Sequence, residues 1–424
     1  MEMKKYKLGD IAKIYNGSTP STSDNSNYDG EIIWATPKDL SDQNSKYFSQ
    51  GARNITQKGF DSCSTQMIPA NNILMSSRAP IGLFAINTVA CCTNQGFKNI
   101  VLDKSISDVD YMYYYLKYHV KEIEALGSGT TFKEISKTSF EKYEISIPSL
   151  SVQKKISSVL SNIDRKISVN RQINRNLEEL AKQIYDYWFV QFDFPNEEGK
   201  PYKSSGGKMV WNDVLKREIP DGWEVKRISS QIKKNIGGDW GKEKPEGNYQ
   251  LKLSCCRGAD IVSITDLPTR YILNANSSKL LEEGDMVVEI SGGSPTQATG
   301  RCVLISKEIL SAFDNKLICS NFCQALSIAD KDYISYFYHM WKMFYDSDVF
   351  FNYEGKTSGI KNFQYDTFVT EKWYFPPKDL AIKFGEIVSK NYKKKCELEL
   401  ENKRLAALRD ELLPMLMNGQ VSVE

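Results

Sequence analysis

Two stretches of this sequence carry one heptad seam. In the first, Ile156, Leu160, Ile163, Ile167, Leu177, Ala181, Ile184 and Trp188 fall at steps of four and three, with Asn170 and Asn174 in the two middle positions. This spacing keeps one apolar stripe along a helix that packs on another helix. A polar residue inside such a seam costs stability and fixes register. A helix of about 40 residues is about 60 Å long, too long for the core of one compact domain. It needs a partner of similar length.

The chain supplies that partner. Gly127–Val190 overlies Gly355–Asn418 without a gap, an offset of 228 residues. Lys133 meets Lys361, Phe140 meets Phe368 and Pro148 meets Pro376. Further on, Asn174 meets Asn402, Leu177 meets Leu405, Leu180 meets Leu408 and Ile184 meets Leu412. The second seam reads Phe384, Val388, Asn391, Leu398, Asn402, Leu405, Leu412 and Leu416, with Lys395 and Arg409 intruding. Pro414 should end or kink this helix, and Gly419 is a stop signal. An apolar stripe alone usually faces an ordinary core. A duplicated stripe with a shared central Asn points instead to two helices packed on each other, antiparallel, with a pseudo-two-fold between the halves.

The region before each helix is a globule. Glu31–Ala35, Ile73–Ser76, Leu83–Ile86 and Asn99–Leu102 read as short strands separated by turn residues. Val109–Ile123 reads as a Tyr-rich helix, whose tyrosines at helical spacing suit a packing surface better than a base-stacking one. The order then repeats: Gly284–Ile290 resembles Asn72–Ser76, Gly300–Ile305 matches Gly82–Ile86, and Asp332–Tyr338 matches Asp110–Leu116. Tyr249–Leu253 stands where the first copy has its Trp34 strand. The expected fold class is α+β: two tandem mixed globules, each followed by a long helix, the helices forming an antiparallel coiled coil. The boundaries are globule 1–147, helix 148–192, polar linker 193–221, globule 222–376, and helix with tail 377–424.

Composition excludes several classes. A length of 424 residues suits more than one domain, and 41% hydrophobic with 25% charged residues is ordinary for a globular protein. Nothing in Met1–Leu8 resembles a signal peptide, and no apolar run is long enough to span a bilayer. Nine cysteines without framework spacing read as reduced thiols in a cytoplasmic protein. A net charge of +2 argues against a uniformly basic coat but allows a local basic face.

Globule, helix, linker, globule, helix resembles the specificity subunit of type I restriction-modification systems. The wording agrees at Thr36-Pro37-Lys38-Asp39-Leu40 after the Trp-bearing strand, at Gly127–Lys133, at Ile219-Pro220-Asp221-Gly222-Trp223, and at Leu412–Gly419. The resemblance covers the whole chain. It implies that each globule is a target-recognition domain reading one half of a split, asymmetric double-stranded DNA site. It implies helices that set the spacer and dock two modification subunits, which carry S-adenosylmethionine and methylate adenine. Restriction subunits using ATP and Mg would join to cleave. No cofactor is expected in this chain.

Phosphate and base contacts draw on Lys, Arg and small hydroxyl or amide donors. On that chemistry the candidates in the first globule are Lys38, Arg78, Lys98, Thr130, Thr131 and Lys133. In the second they are Arg257, Gln297, Arg301, Lys316, Lys356 and Lys361. An isolated lysine is most often a solvated surface charge; loop position and duplication raise Lys133 and Lys361 above the rest.

Catalytic equipment is sparse. The two histidines, His119 and His339, give a triad or metal site little to work with. Cys319 and Cys323, and the adjacent pairs Cys91-Cys92 and Cys255-Cys256, lack zinc-ribbon spacing. There is no Walker-type loop and no Asn-Pro-Pro-aromatic segment. Asp221, Glu224 and Lys226 follow Pro220 in a superficially nuclease-like order, but the acids are too close together. A non-catalytic subunit is therefore expected. The rival reading is a stand-alone DNA-binding regulator or coiled-coil adaptor, which operon neighbours would separate from the first.

Overall fold

Ile73–Ser77 is a short, mostly apolar run, and all five of its residues are buried, as the middle strand of a covered sheet must be. The computed structural model describes residues 2–43, 45–129, 133–292, 294, 296–357, 359–421 and 423, apart from the side chains of Lys356 and Thr357. Among these, four helices have ten residues or more: α1 (Val109–Tyr118), α2 (Leu150–Tyr185), α3 (Ile334–Asp346) and α4 (Lys378–Met417). The chain divides into two units, Met1–Val169 with Arg404–Glu424, and Asn170–Lys403.

The first unit holds a five-stranded sheet of β1 (Ala12–Asn16), β2 (Tyr47–Phe48), β3 (Ile73–Ser77), β4 (Ile81–Asn87) and β5 (Phe97–Leu102), in the order β1-β5-β3-β4-β2. Ile73 pairs with Ile86 on one side and Ile100 on the other. Asp108 caps α1 by accepting from Tyr111 N at 2.9 Å. The helix then buries Tyr111, Met112, Tyr114 and Leu116 in one core with Ile73, Met75, Ile86 and Ile100. The tyrosine cluster is thus a packing surface. The same core takes in Ile156 and Leu160 of α2 and Leu416 and Met417 of α4.

The second unit repeats this plan. Its four-stranded sheet is β6 (Ile232–Gly237), β7 (Met286–Glu289), β8 (Cys302–Leu304) and β9 (Cys323–Ile328), in the order β6-β9-β7-β8. That is the order of β1-β5-β3-β4. Met286 pairs with Leu304 and Leu326, as Ile73 does with Ile86 and Ile100. Gly82 in β4 and Gly300 just before β8 hold the same place, with φ of +88° and +99°, a conformation that favours glycine. A parallel pair flanks each sheet: Trp34-Ala35 with Cys92-Thr93, and Cys255-Cys256 with Ile318-Cys319. The counterpart of the Trp34 strand is therefore Cys255-Cys256, the end of the strand Tyr249–Cys256 whose beginning was expected there. The identities share nothing, and only the turn that follows aligns them.

Each globule begins and ends on one antiparallel pair. Lys4–Lys7 lies along Glu144–Ile147, and Glu224–Arg227 along Lys372–Phe375. The segment expected as a polar linker is folded. Met209–Asn212 pairs with Arg217–Pro220, and Phe194 stacks on Tyr202 at 4.6 Å and on Trp223 at 5.6 Å. Its few aromatic and aliphatic residues suffice to anchor a hairpin on the second core.

The helices pair antiparallel within each unit. In the first, Asp164 accepts from Arg409 at 2.8 Å. In the second, Asn170 donates to Asn402 at 3.0 Å, Asn174 donates to the Lys395 carbonyl at 3.4 Å, and Glu178 meets the Lys395 ammonium at 2.5 Å. Partner numbers fall along α4 as they rise along α2. Ile156, Leu160, Ile167, Val388 and Leu398 are buried, whereas Ile163, Leu177, Ile184, Asn402, Leu405 and Leu412 are half-buried. Lys395 and Arg409 break the second seam because each answers a carboxylate on α2. The polar match differs from the sequence alignment, for the partner of Asn402 is Asn170. Pro414 does not stop α4, which continues to Met417. Proline costs the helix one hydrogen bond, and the turn after it still closes, the Asn418 N–H donating to the Pro414 carbonyl at 3.0 Å. Gly419, at φ +69°, follows.

Candidate nucleic-acid interface

The turn after the parallel pair starts the site. In the first unit the backbone N–H of Thr36 donates to Asp39 Oδ2 at 2.7 Å, and the short helix Pro37–Asp42 carries Lys38 exposed. Pro37 rests on Gly96, whose carbonyl accepts from Ser77 N at 2.7 Å. This brings in the loop after β3. There Arg78 bridges Glu134 and sits 3.9 Å from its carboxylate. Lys98 reaches the same carboxylate at 3.2 Å with its side chain 6% exposed, and Ser77 Oγ at 3.4 Å. Lys133 is exposed next to Glu134. Arg78 and Lys98 thus gather round one acid, with Lys133 exposed at the next position along the chain and Lys38 a loop away. Thr130 and Thr131 lie outside the described residues.

The second unit builds the corresponding corner with other residues. The Arg257 backbone N–H donates to Asp260 Oδ2 at 2.8 Å, the same cap as Thr36 on Asp39. Arg257 also donates from Nε and Nη2 to the two Asp260 oxygens, each at 2.8 Å. Arg301 donates from Nε to Glu289 Oε2 at 2.8 Å and from Nη2 to Oε1 at 2.7 Å. Lys361 pairs with the buried Glu354 at 3.0 Å and donates to the Gln297 carbonyl at 3.3 Å. Glu354 also accepts from Thr299 N at 2.8 Å. Arg257, Gln297, Arg301 and Lys361 therefore belong to one cluster. Lys316 does not join it; it is exposed and lines a cavity with Lys234, Ser277 and Phe313. Lys356 lies in the strand Glu354–Thr357, its side chain outside the described residues.

The pairing carboxylates Glu134, Glu289, Glu354 and Asp260 escaped sequence reasoning, which looked for donors. Asp260 carried a signal: it stands fourth after its Cys255-Cys256 pair as Asp39 does after Trp34-Ala35. Asp260 and Glu289 hold the guanidinium groups of Arg257 and Arg301 charged above their ordinary values, the hydrogen bonds outweighing burial. Other cations are spent on packing. Arg270 lies 3.6 Å over the Trp240 ring and 3.0 Å from Glu243, and Arg53 lies 3.9 Å over Tyr28.

Both corners present fixed donors on loops carried by a sheet, which suits phosphate oxygens and base edges. No group of three His, Cys, Asp or Glu that could hold a metal occurs among the described residues. Asp221, just after the hairpin, is paired with Lys208 at 2.8 Å, and Glu224 with Lys226 at 3.1 Å on the strand that lies along Lys372–Phe375. Burial raises the thiols of Cys91, Cys92, Cys255 and Cys323 to about 12, which makes them poor nucleophiles and ligands. No helix among the described residues is long and apolar enough to cross a membrane.

A family model described as the type I restriction modification DNA specificity domain matches residues 1–179. The type I restriction enzyme MjaIX specificity subunit of Methanocaldococcus jannaschii is 30% identical over 426 aligned residues, which cover 99% of this chain and 93% of that one. The chain belongs to the type I restriction enzyme specificity subunits. The HindI specificity subunit of Haemophilus influenzae is 23% identical and covers 72% of this specificity subunit, with 74% of its own length matched. A crystal structure of a type I restriction-modification S subunit from M. genitalium has the same fold. It superposes with a TM-score of 0.59 at 17% identity, covering 98% of this chain and 96% of that one. In this specificity subunit the two corners share a framework but not a surface. Thr36 answers to Arg257, Lys38 to Ala259, and Lys98 to Gln324.

Proposed function

We propose that each globule reads one half of a bipartite DNA site, and that the halves differ in sequence. One observation carries this reading: two sheets that share the order of four strands hold loops at the same places, and the side chains on those loops have diverged. One framework with two surfaces suits two targets presented in one geometry. α2 and α4 each contribute residues to both units. They set the spacer between the half-sites and dock two modification subunits that bring S-adenosylmethionine and methylate adenine. Restriction subunits with ATP and Mg add cleavage to the complex. The chain itself is non-catalytic and works in the cytoplasm of a bacterium or archaeon.

Genome-wide adenine methylation, compared between the native host and a strain lacking this gene, tests the reading. A split, asymmetric methylated motif that disappears on deletion supports it. An unchanged methylome in a host that expresses the modification subunits overturns it in favour of a stand-alone DNA-binding protein.

A further inference from the structure

Two arginines of the second globule are held in an unusual way. Asp260 and Glu289 have side chains 9% and 6% exposed, and each is paired with one arginine. Burying a carboxylate costs free energy that a fork-to-fork arginine only partly returns. The Asp260 cap does not need the Arg257 side chain, because Asp39 makes the same cap with threonine at that place. Nor does the sheet need Arg301, whose counterpart beside β3 is Leu83.

The two pairs are neighbours. A Cβ on Gly258, the residue after Arg257, would lie 2.6 Å from Glu289 Oε1, the oxygen that receives Arg301. The framework behind Arg301 is fixed: Gly300 donates to the Glu289 carbonyl at 2.9 Å, and the Gly300 carbonyl accepts from buried Trp341 at 2.8 Å. Each arginine spends Nε and one hydrogen of Nη2 on its carboxylate. Its Nη1 end takes no part in the pair, and the side chains remain 46% and 21% exposed.

We propose that Arg257 and Arg301 are guanine readers, each aimed by its carboxylate, and that the half-site read by the second globule contains guanine at the positions they face. This deepens, and rests on, the half-site reading above. A guanidinium with Nε and Nη2 occupied offers Nη1 and the second Nη2 hydrogen end-on, a two-donor edge that matches guanine O6 and N7. Because the carboxylate has already fixed the side chain, little conformational freedom is lost on binding. The first globule, with Thr36 and Leu83 at these places, reads its half by other chemistry. The carboxylates are positioning residues; the arginines make the contact.

The test uses the full chain with its modification subunits in a host free of other adenine methylation, and reads the methylated motif by sequencing. Arg257→Ala leaves the backbone cap on Asp260 in place, and Arg301→Lys keeps a cation beside Glu289 while removing the fork. Each variant is expected to lose about tenfold or more of its preference for guanine at one position. Both positions should fall in the same half, with the other half unchanged. A native motif lacking guanine in one of its halves supports the assignment to the other half; guanine in neither overturns it. Methylation that falls uniformly at every site, with the motif intact in both variants, overturns it in favour of phosphate contacts. A native complex that leaves no split motif overturns the half-site reading and this inference with it, and is recognised because it precedes any substitution.

Discussion

Asn170 of α2 donates to Oδ1 of Asn402 on α4 across 3.0 Å, and to Glu401 Oε2 across 2.8 Å. One turn on, Asn174 has only a long contact from its amide to the Lys395 carbonyl, while the Oδ1 of both asparagines is buried without a partner. The two seam asparagines therefore differ in kind: Asn170 supplies a donor to two acceptors, whereas Asn174 pays more in desolvation than it recovers.

Leucine at the two positions should have opposite effects. Asn170→Leu should lower the thermal midpoint by several degrees, because Asn402 and Glu401 lose their shared donor, a loss of about 1–3 kcal/mol. Asn174→Leu should raise it. Adding Asn402→Leu to Asn170→Leu should recover stability while loosening register. Calorimetry of the single and double variants checks the order; a stabilising Asn170→Leu would show that its amide is not the fixed point of the seam.

Lys395 is caught between Glu178 at 2.5 Å and Glu399 at 3.6 Å. Burial works against its charge, and the two carboxylates outweigh it and hold the ammonium above its ordinary value. Lys395→Ala should cost roughly 2 kcal/mol at pH 7, less than for a fully buried pair because Glu178 is partly exposed. The deficit should shrink as the pH falls, since Glu399, whose carboxyl burial holds above its ordinary value, protonates first and stops repelling Glu178. Denaturant melts at pH 7 and pH 4 measure both effects.

His339 should make the second unit sensitive to acid. Its Nδ1–H donates to the Ser335 carbonyl at 2.8 Å, while Tyr185, Tyr338 and Phe384 surround the ring. Burial first, then the positive charge of Lys342, brings its pKa down to about 4 from 6.5. The unfolded chain thus takes up a proton below pH 6.5 that the folded chain refuses until about pH 4. Stability should fall through that window and level off below it, by roughly 1–2 kcal/mol given that the residue is not fully buried. His339→Gln should flatten the slope; an unchanged slope would assign the acid sensitivity to other groups.

The equivalent glycines Gly82 and Gly300 offer a matched experiment. A Cβ at Gly82 would meet Val120 Cγ2 at 2.4 Å, and one at Gly300 would meet Phe350 Cδ2 at 2.6 Å, both with positive φ. Alanine at either place should destabilise its own globule by about 1–3 kcal/mol. Hydrogen exchange should show the loosening confined to the unit that carries the substitution.

The helices could be read from the sequence because a heptad seam is a local pattern, repeated over many turns and then repeated again. The strand order could be read in part, since glycine and turn residues recur at Gly82 and Gly300 with the same spacing to an apolar strand. The counterpart of the Trp34 strand is legible only to within a few residues, because Cys255-Cys256, at the far end of the strand Tyr249–Cys256, preserves burial but no side-chain chemistry. Pairing across the seam was misassigned for a related reason. Sequence overlay matches equivalent residues of two copies, whereas an antiparallel pair brings together residues that are not equivalent. At the site, the cations were visible by type and loop position. Their acids were not, because Glu289 meets Arg301, and Glu134 meets Lys98, only after the sheet has formed.

The antiparallel strands that open and close each globule give the chain a further property. Lys4 stands opposite Ile147, and Glu224 opposite Phe375, so the chain enters and leaves each globule at a single doorway. Whatever lies behind a doorway can be replaced whole, provided the replacement brings its two ends to the same place, and the helices beyond need no adjustment. A genetic crossover at those two strands would exchange one reading head for another and leave the other, with the spacing, as it was. A population of genes built this way can generate new paired targets by recombination between existing halves, without waiting for point mutations to remake a recognition surface.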